Sequence, residues 1–202
     1  AEVPGNVELD LQKQGLLPSL EEKDQIYEAL KWEKHWWCYQ KKIQLPEAKS
    51  NQRTLIVFEG IDCFARIYLD DTLIGETANM LVSHEFDISP YIQSGITHNL
   101  AVVIGSTLLM GKKHQPGPNE WTLPGKTESL SVRKAPHMYG WDIMPRIMSA
   151  GLWKGVSLER QKFPRIIDSY WATKSLTEDH SQCEVWVQWE LEDLENDIPS
   201  TT

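Results

Sequence analysis

Cys63-Phe64-Ala65-Arg66-Ile67-Tyr68-Leu69-Asp70-Asp71-Thr72-Leu73-Ile74-Gly75 is the stretch that decides the fold. Cys63, Ala65, Ile67 and Leu69 alternate with Phe64, Arg66, Tyr68 and Asp70. A period of two puts the first set on one face of a strand and the second on the other. Asp70-Asp71 then turns the chain into Leu73-Ile74-Gly75. Outward from this turn the same grammar repeats. Trp36 to Leu45, Arg53 to Phe58, Ser83 to Ile88, Leu100 to Ile104 and Gly151 to Glu159 read as strands. Leu100-Ala101-Val102-Val103-Ile104 is apolar throughout, the pattern of a strand covered on both faces. Little helix is expected. Val7 to Gln14 has helical spacing and stops at Gly15, and Ser19 with Glu22 three residues on reads as a capping box. Short strands at roughly ten-residue intervals, parted by turn residues, predict an all-β antiparallel sandwich.

The remainder divides around Phe163-Pro164-Arg165, a linker. Ile166 to Ala172 and Cys183 to Leu191 are two further strands, and a lone hairpin is marginal in water. They either pack on the sandwich or open a second domain. In the second case the division falls at 1–163 and 164–202. The polar, acidic tail from Glu192 to Thr202 is expected to fray, and Glu47 to Gln52 to form a turn. Met110 to Ser129, rich in Gly, Pro and Lys, is a loop long enough to suggest a task.

Composition excludes several classes. A net charge of −9 disfavours nucleic acid and anionic membrane surfaces, both of which need cationic groups. No apolar run approaches the roughly 18 to 20 residues that span a bilayer. Ala1-Glu2-Val3-Pro4-Gly5 lacks a basic-then-apolar signal pattern, which leaves the compartment open. Cys38, Cys63 and Cys183 show no CxxC spacing and are expected to serve as small core hydrophobes. No HExxH, GxGxxG or P-loop occurs, so neither metal nor cofactor is expected. Ile104-Gly105-Ser106-Thr107 lacks the full nucleophile elbow. No pair of carboxylates stands out as the acid and base that glycoside hydrolysis needs.

Arg133-Lys134-Ala135-Pro136-His137-Met138-Tyr139-Gly140-Trp141-Asp142-Ile143-Met144-Pro145-Arg146 concentrates the chemistry that does exist. Gly140 frees the backbone just before Trp141-Asp142 and Pro145 stiffens it just after. An aromatic face beside a carboxylate suits a sugar ring, whose C–H face stacks while its hydroxyls donate to the acid. The structural alternative is a buried Trp141 with Asp142 paired to Arg146. Trp121, in the middle of the long loop, is either a ligand-facing platform or a plug that pins the loop.

Several stretches, in order, resemble the N-terminal sugar-binding domain of glycoside hydrolase family two, most closely its β-mannosidase branch. They are Val3-Pro4-Gly5-Asn6-Val7, Trp37-Cys38-Tyr39, Phe58-Glu59-Gly60-Ile61-Asp62, Arg133-Lys134-Ala135, Tyr139-Gly140-Trp141-Asp142, Pro145-Arg146 and Gly151-Leu152-Trp153-Lys154-Gly155-Val156. The resemblance covers about residues 3 to 160. It implies a galactose-binding-like jelly roll that precedes an immunoglobulin-like sandwich and a TIM barrel. That barrel holds both glutamates of a retaining mechanism, so residues 1–202 alone are expected to be inactive. Residues 165 to 191 would be the first strands of the second sandwich. Carried over, Trp141 and Asp142 reach the glycone pocket, with Arg133 lining or bracing it. The implied partners are a terminal β-linked sugar and the barrel of the same polypeptide, in a parent enzyme for which a secreted or periplasmic site is compatible. The chain departs from the family at Ile143-Met144, where Trp-Gly is frequent, and at Asp70-Asp71, where Asn-Gly is frequent. The competing readings are a free-standing carbohydrate-binding module and a structural spacer.

Overall fold

In the computed structural model, residues 1–45, 47, 52–93, 95–122 and 126–193 are described. The expected turn Glu47 to Gln52 lies mostly outside them, as do 123–125 of the long loop and 194–202 of the tail. The period-two alternation forms strands where it was expected, except that the stretch Gly151 to Glu159 is broken at 153–155 into two strands. After helix α1 (Val7–Lys13) come β1 (Trp37–Gln44), β2 (Gln52–Phe58), β3 (Ile61–Asp62), β4 (Phe64–Leu69), β5 (Thr72–Ala78), β6 (His84–Asp87) and β7 (Thr97–Ile104). Helix α2 (Thr107–Gly111), β8 (Gly151–Leu152), β9 (Val156–Lys162), β10 (Arg165–Leu176) and β11 (Cys183–Glu192) follow. All strand pairings between these elements are antiparallel.

Two sheets share one core. The first runs β1-β7-β4-β5 and the second β6-β2-β9. Ile67 and Leu69 of β4, Val102 and Ile104 of β7, and Ile56 and Phe58 of β2 pack in a single cluster. Each is 2% exposed or less, which is the alternation of the opening stretch expressed as burial. The alternation extends to β7 as well. Leu100, Val102 and Ile104 are buried while Ala101 and Val103 are half-buried, so the continuous apolar run is covered more completely on its core face. The Asp70-Asp71 turn adopts positive φ at both residues (48° and 67°), the conformation that suits a tight hairpin. Asp70 also caps it, accepting from the Asn99 N–H at 2.7 Å and from His98.

The N-terminal segment is fastened across β8. Gly5 N–H donates to the Leu152 carbonyl and Val7 N–H to the Ala150 carbonyl, both at 2.9 Å. A side chain at Gly151 would meet the Gly5 oxygen at 2.8 Å, so glycine is required there by close approach. Asn6 caps α1 by accepting from the Leu9 N–H, and Gly15 ends it with φ of 69°.

Three expectations are corrected. Ser19 caps nothing: a 3₁₀ segment starts later, at Lys23–Trp32, with no side-chain cap, because the chain between Pro18 and Glu22 stays in turns. Of the cysteines only Cys63 is buried; Cys38 and Cys183 are exposed because each sits on the uncovered face of its strand. Glu192 is no frayed tail residue but the end of β11, held by Arg165 at 2.7 Å and Arg53 at 3.1 Å. The hairpin β10–β11 forms its own two-stranded sheet. Its register places Ile166, Ser169, Trp171 and Thr173 on one face with Leu191, Trp189, Val187 and Val185.

Candidate functional site

The 133–146 segment is a loop with a fixed base and a bare tip. The base starts where Arg133 bridges to Asn79 in parallel and its carbonyl accepts from the Met80 N–H at 2.9 Å. Next to it Lys134 turns inward. Its ammonium donates to the Asp62 carboxylate and to the Ser149 carbonyl at 2.6 Å, with no side-chain exposure. Burial pushes the Asp62 pKa up, and the Lys134 charge and hydrogen bond oppose that shift. The neighbouring Glu8 carboxyl is likewise raised by burial, with a hydrogen bond from the Ser149 hydroxyl acting against it. Neither Asp62 nor Lys134 was singled out from the sequence, since 72 residues separate them.

Pro136–Tyr139 then forms one 3₁₀ turn, which seats Tyr139 in a second cluster with Cys63, Met80, Leu108, Val132 and Met148. Gly140 has φ of 87°, and its carbonyl accepts from the Lys126 ammonium. The tip closes on itself: Trp141 N–H donates to the Met144 carbonyl at 2.9 Å, and Ile147 N–H to the Met138 carbonyl at 3.1 Å. Arg146 clamps the far end. Its guanidinium gives two bonds to Glu33 (2.7 and 3.1 Å) and one to Glu128 (2.9 Å). Burial works to lower the Arg146 pKa, but the bonds and charges of Glu33 and Glu128 outweigh it and hold it above the ordinary value. So the structural alternative of an Asp142–Arg146 pair does not occur.

What this clamp presents is exposed. Trp141 is 64% exposed, Ile143 is 90% exposed, and Asp142 makes no hydrogen bond or ion pair with a described residue. Lys126 lies over the Trp141 ring at 5.5 Å, so a cation attends the indole. The Arg133 side chain is exposed beside the base. Trp121 is 79% exposed and lies on a different loop, whose turn is tied by Glu120 accepting from the Gly117 N–H (2.7 Å) and His114 (2.8 Å). No ring contact or hydrogen bond among the described residues joins Trp121 to Trp141 or Asp142. Four residues were picked from the sequence; the structure brings Trp141 and Asp142 together at one tip, sets Arg133 at its base, and leaves Trp121 on its own loop. Among the described residues there is no cluster of His, Cys, Asp and Glu that could hold a metal ion. Nor is any helix among them long and apolar enough to cross a membrane.

Comparison with known proteins follows the same outline. A curated relative, β-mannosidase B of Aspergillus niger, is 30% identical over 198 residues, which are 96% of this chain and 23% of that protein. The Emericella nidulans β-mannosidase B is 34% identical over 159 residues, 77% of this chain and 19% of that one. The crystal structure of the β-D-mannosidase from Dictyoglomus thermophilum superposes with a TM-score of 0.83 at 31% identity, over 96% of this chain and 24% of that one. The chain thus spans about a quarter or less of the relatives it matches. Residues 1–154 match the family described as glycosyl hydrolase 2 galactose-binding domain-like, and the chain belongs to that family.

Proposed function

We propose that residues 1–202 are the non-catalytic N-terminal part of a retaining β-glycosidase, and that Trp141 and Asp142 complete its glycone pocket. The sandwich, residues 1–163, is then a jelly roll. The catalytic glutamates lie in a barrel elsewhere in the full-length polypeptide. One observation carries this reading: an exposed indole and an unpaired carboxylate share the tip of a loop whose base is clamped by Arg146 and Lys134. A fixed backbone under free side chains is the arrangement that binding needs, because little is left to order when the ligand arrives. The indole offers its face to a sugar ring, Asp142 accepts from its hydroxyls, and the β-mannosidase relatives make a β-mannoside the first substrate to test.

In the full-length enzyme Asp142→Ala should lower kcat/KM on an aryl β-mannoside by about 10- to 150-fold, the worth of roughly 1.5 to 3 kcal/mol of hydrogen bonding to a charged group. Wild-type kcat/KM on every aryl glycoside tested would end this reading.

The same reading makes 164–202 the opening of an immunoglobulin-like sandwich. In support, the β10–β11 face that carries Trp171, Trp189 and Leu191 has no covering layer among the described residues, each of the three being more than half exposed. A two-stranded sheet with one such face gains stability only when a second layer packs on it.

A further inference from the structure

The peptide unit that joins Gly140 to Trp141 is gripped at both ends. Its N–H donates to the Met144 carbonyl at 2.9 Å, and its C=O accepts from the Lys126 ammonium. A planar peptide held at both ends fixes the direction in which the Trp141 side chain leaves the backbone. Gly140, with φ of 87°, would otherwise leave that plane free to turn. The same ammonium lies over the Trp141 ring, 5.5 Å from its centroid. Among the described residues no aromatic ring pairs with this exposed indole. Lys126 therefore restrains the backbone and the ring at once.

Lys126 is itself held in place. It precedes the 3₁₀ turn Thr127–Ser129, and its carbonyl accepts from the Ser129 N–H at 3.0 Å and from the Ser129 hydroxyl at 2.7 Å. Glu128, in the middle of that turn, is buried and accepts the 2.9 Å bond from Arg146. A side chain at Gly111 would stand 2.3 Å from the Glu128 carbonyl oxygen, so the turn rests directly on the end of α2. The long loop Met110 to Ser129 thus ends in a braced turn that delivers one cation to the tip of the next loop.

We infer that Lys126 is a positioning residue for Trp141: its ammonium covers one face of the indole and fixes the peptide beneath, so that the opposite face is presented, already ordered, to a sugar ring. The inference rests on the proposed pocket role of Trp141 and deepens it. An exposed aromatic side chain loses rotamer freedom when a ligand packs on it, and that loss weakens binding. A cation over the ring removes the freedom beforehand. The gain is the same for bound substrate and for the transition state, so it enters KM and leaves kcat alone. A Lys126 that served the fold alone would change Tm and leave KM where it is.

The first arm of the test needs no ligand. In the 202-residue chain labelled with ¹⁵N, the Trp141 indole N–H signal is identified by its loss in Trp141→Phe. Lys126→Met keeps the apolar stem and removes the ammonium; it should shift this signal and lower the order parameter of the indole N–H. Lys126→Arg, which restores a cation that also stacks on aromatic faces, should bring the order back. Lys112→Met, exposed on the same loop, should leave the signal where it is. The second arm uses the full-length enzyme. Lys126→Met should raise KM for an aryl β-mannoside by about 2- to 10-fold with kcat unchanged. On a Trp141→Ala background the same substitution should change KM by less than about twofold, because Lys126 acts through the indole. An indole as ordered in Lys126→Met as in wild type, or a KM effect that persists in full without the indole, overturns the inference and leaves the pocket reading standing. Wild-type KM and kcat for Trp141→Ala would remove the pocket role of Trp141, and this inference with it.

Discussion

Among the regions that display tryptophan to solvent, two make the sharpest contrast. On the 133–146 loop, Trp141 stands above a base held by Lys134–Asp62 and by Arg146 between Glu33 and Glu128. On the β10–β11 hairpin, Trp171 and Trp189 stand on strands that, among the described residues, pair only with each other and are tied to the sandwich at their root, through Arg53 to Glu192. Arg53 also lies over the Phe163 ring at that root. Exposure alone does not tell a binding surface from an uncovered core. On the proposed function the charges beneath do: the Lys134–Asp62 pair at the loop's base is buried, whereas the hairpin's ion pairs among the described residues are all at least a quarter exposed.

The largest expected effect lies under the loop. Lys134→Met strands the buried Asp62 carboxylate and should destabilise the 202-residue chain by about 3 to 5 kcal/mol in urea unfolding. A loss below about 0.5 kcal/mol would mean that the base is not held by charge. Next comes Arg146→Ala, which leaves the nearly buried Glu33 and Glu128 carboxylates without their cation and should cost about 1.5 to 3 kcal/mol. Trp171→Ser should change the stability of this chain by less than about 0.5 kcal/mol, the range of surface substitutions, yet lower the Tm of the full-length protein. Equal effects in both would show that the hairpin face is meant for solvent.

The smallest effect is in pH. Glu8 has a raised pKa, so the native state holds its proton more tightly than the unfolded chain, and stability from this group falls as pH rises past the unfolded value. Glu8→Gln removes that slope. Its Tm relative to wild type should therefore improve from pH 4 to pH 7, and a constant difference would contradict the assignment.

How much of this was legible follows from which forces are local. Cys63 to Leu69 announces its faces because side-chain direction alternates with every residue, and the same holds for the two strands that became the hairpin. Trp141-Asp142 was legible because both chemistries sit side by side in one run. Its supports were not. Asp62 lies 72 residues from Lys134, and Glu33 lies 113 from Arg146, so only folding brings them together. The alternative of an Asp142–Arg146 pair failed for that reason: a nearby acid was in view and two distant ones were not. Cys38 and Cys183 were misplaced because a strand-like run does not say which of its faces will be covered.

The decisive measurement sets the two regions side by side in the full-length enzyme: kcat/KM on an aryl β-mannoside and Tm for Asp142→Ala and for Trp171→Ser. The account expects Asp142→Ala to lose about tenfold or more in kcat/KM with its Tm unchanged, and Trp171→Ser to lose Tm with its kcat/KM unchanged. An Asp142→Ala enzyme with wild-type kcat/KM, or two variants with exchanged behaviour, would contradict it.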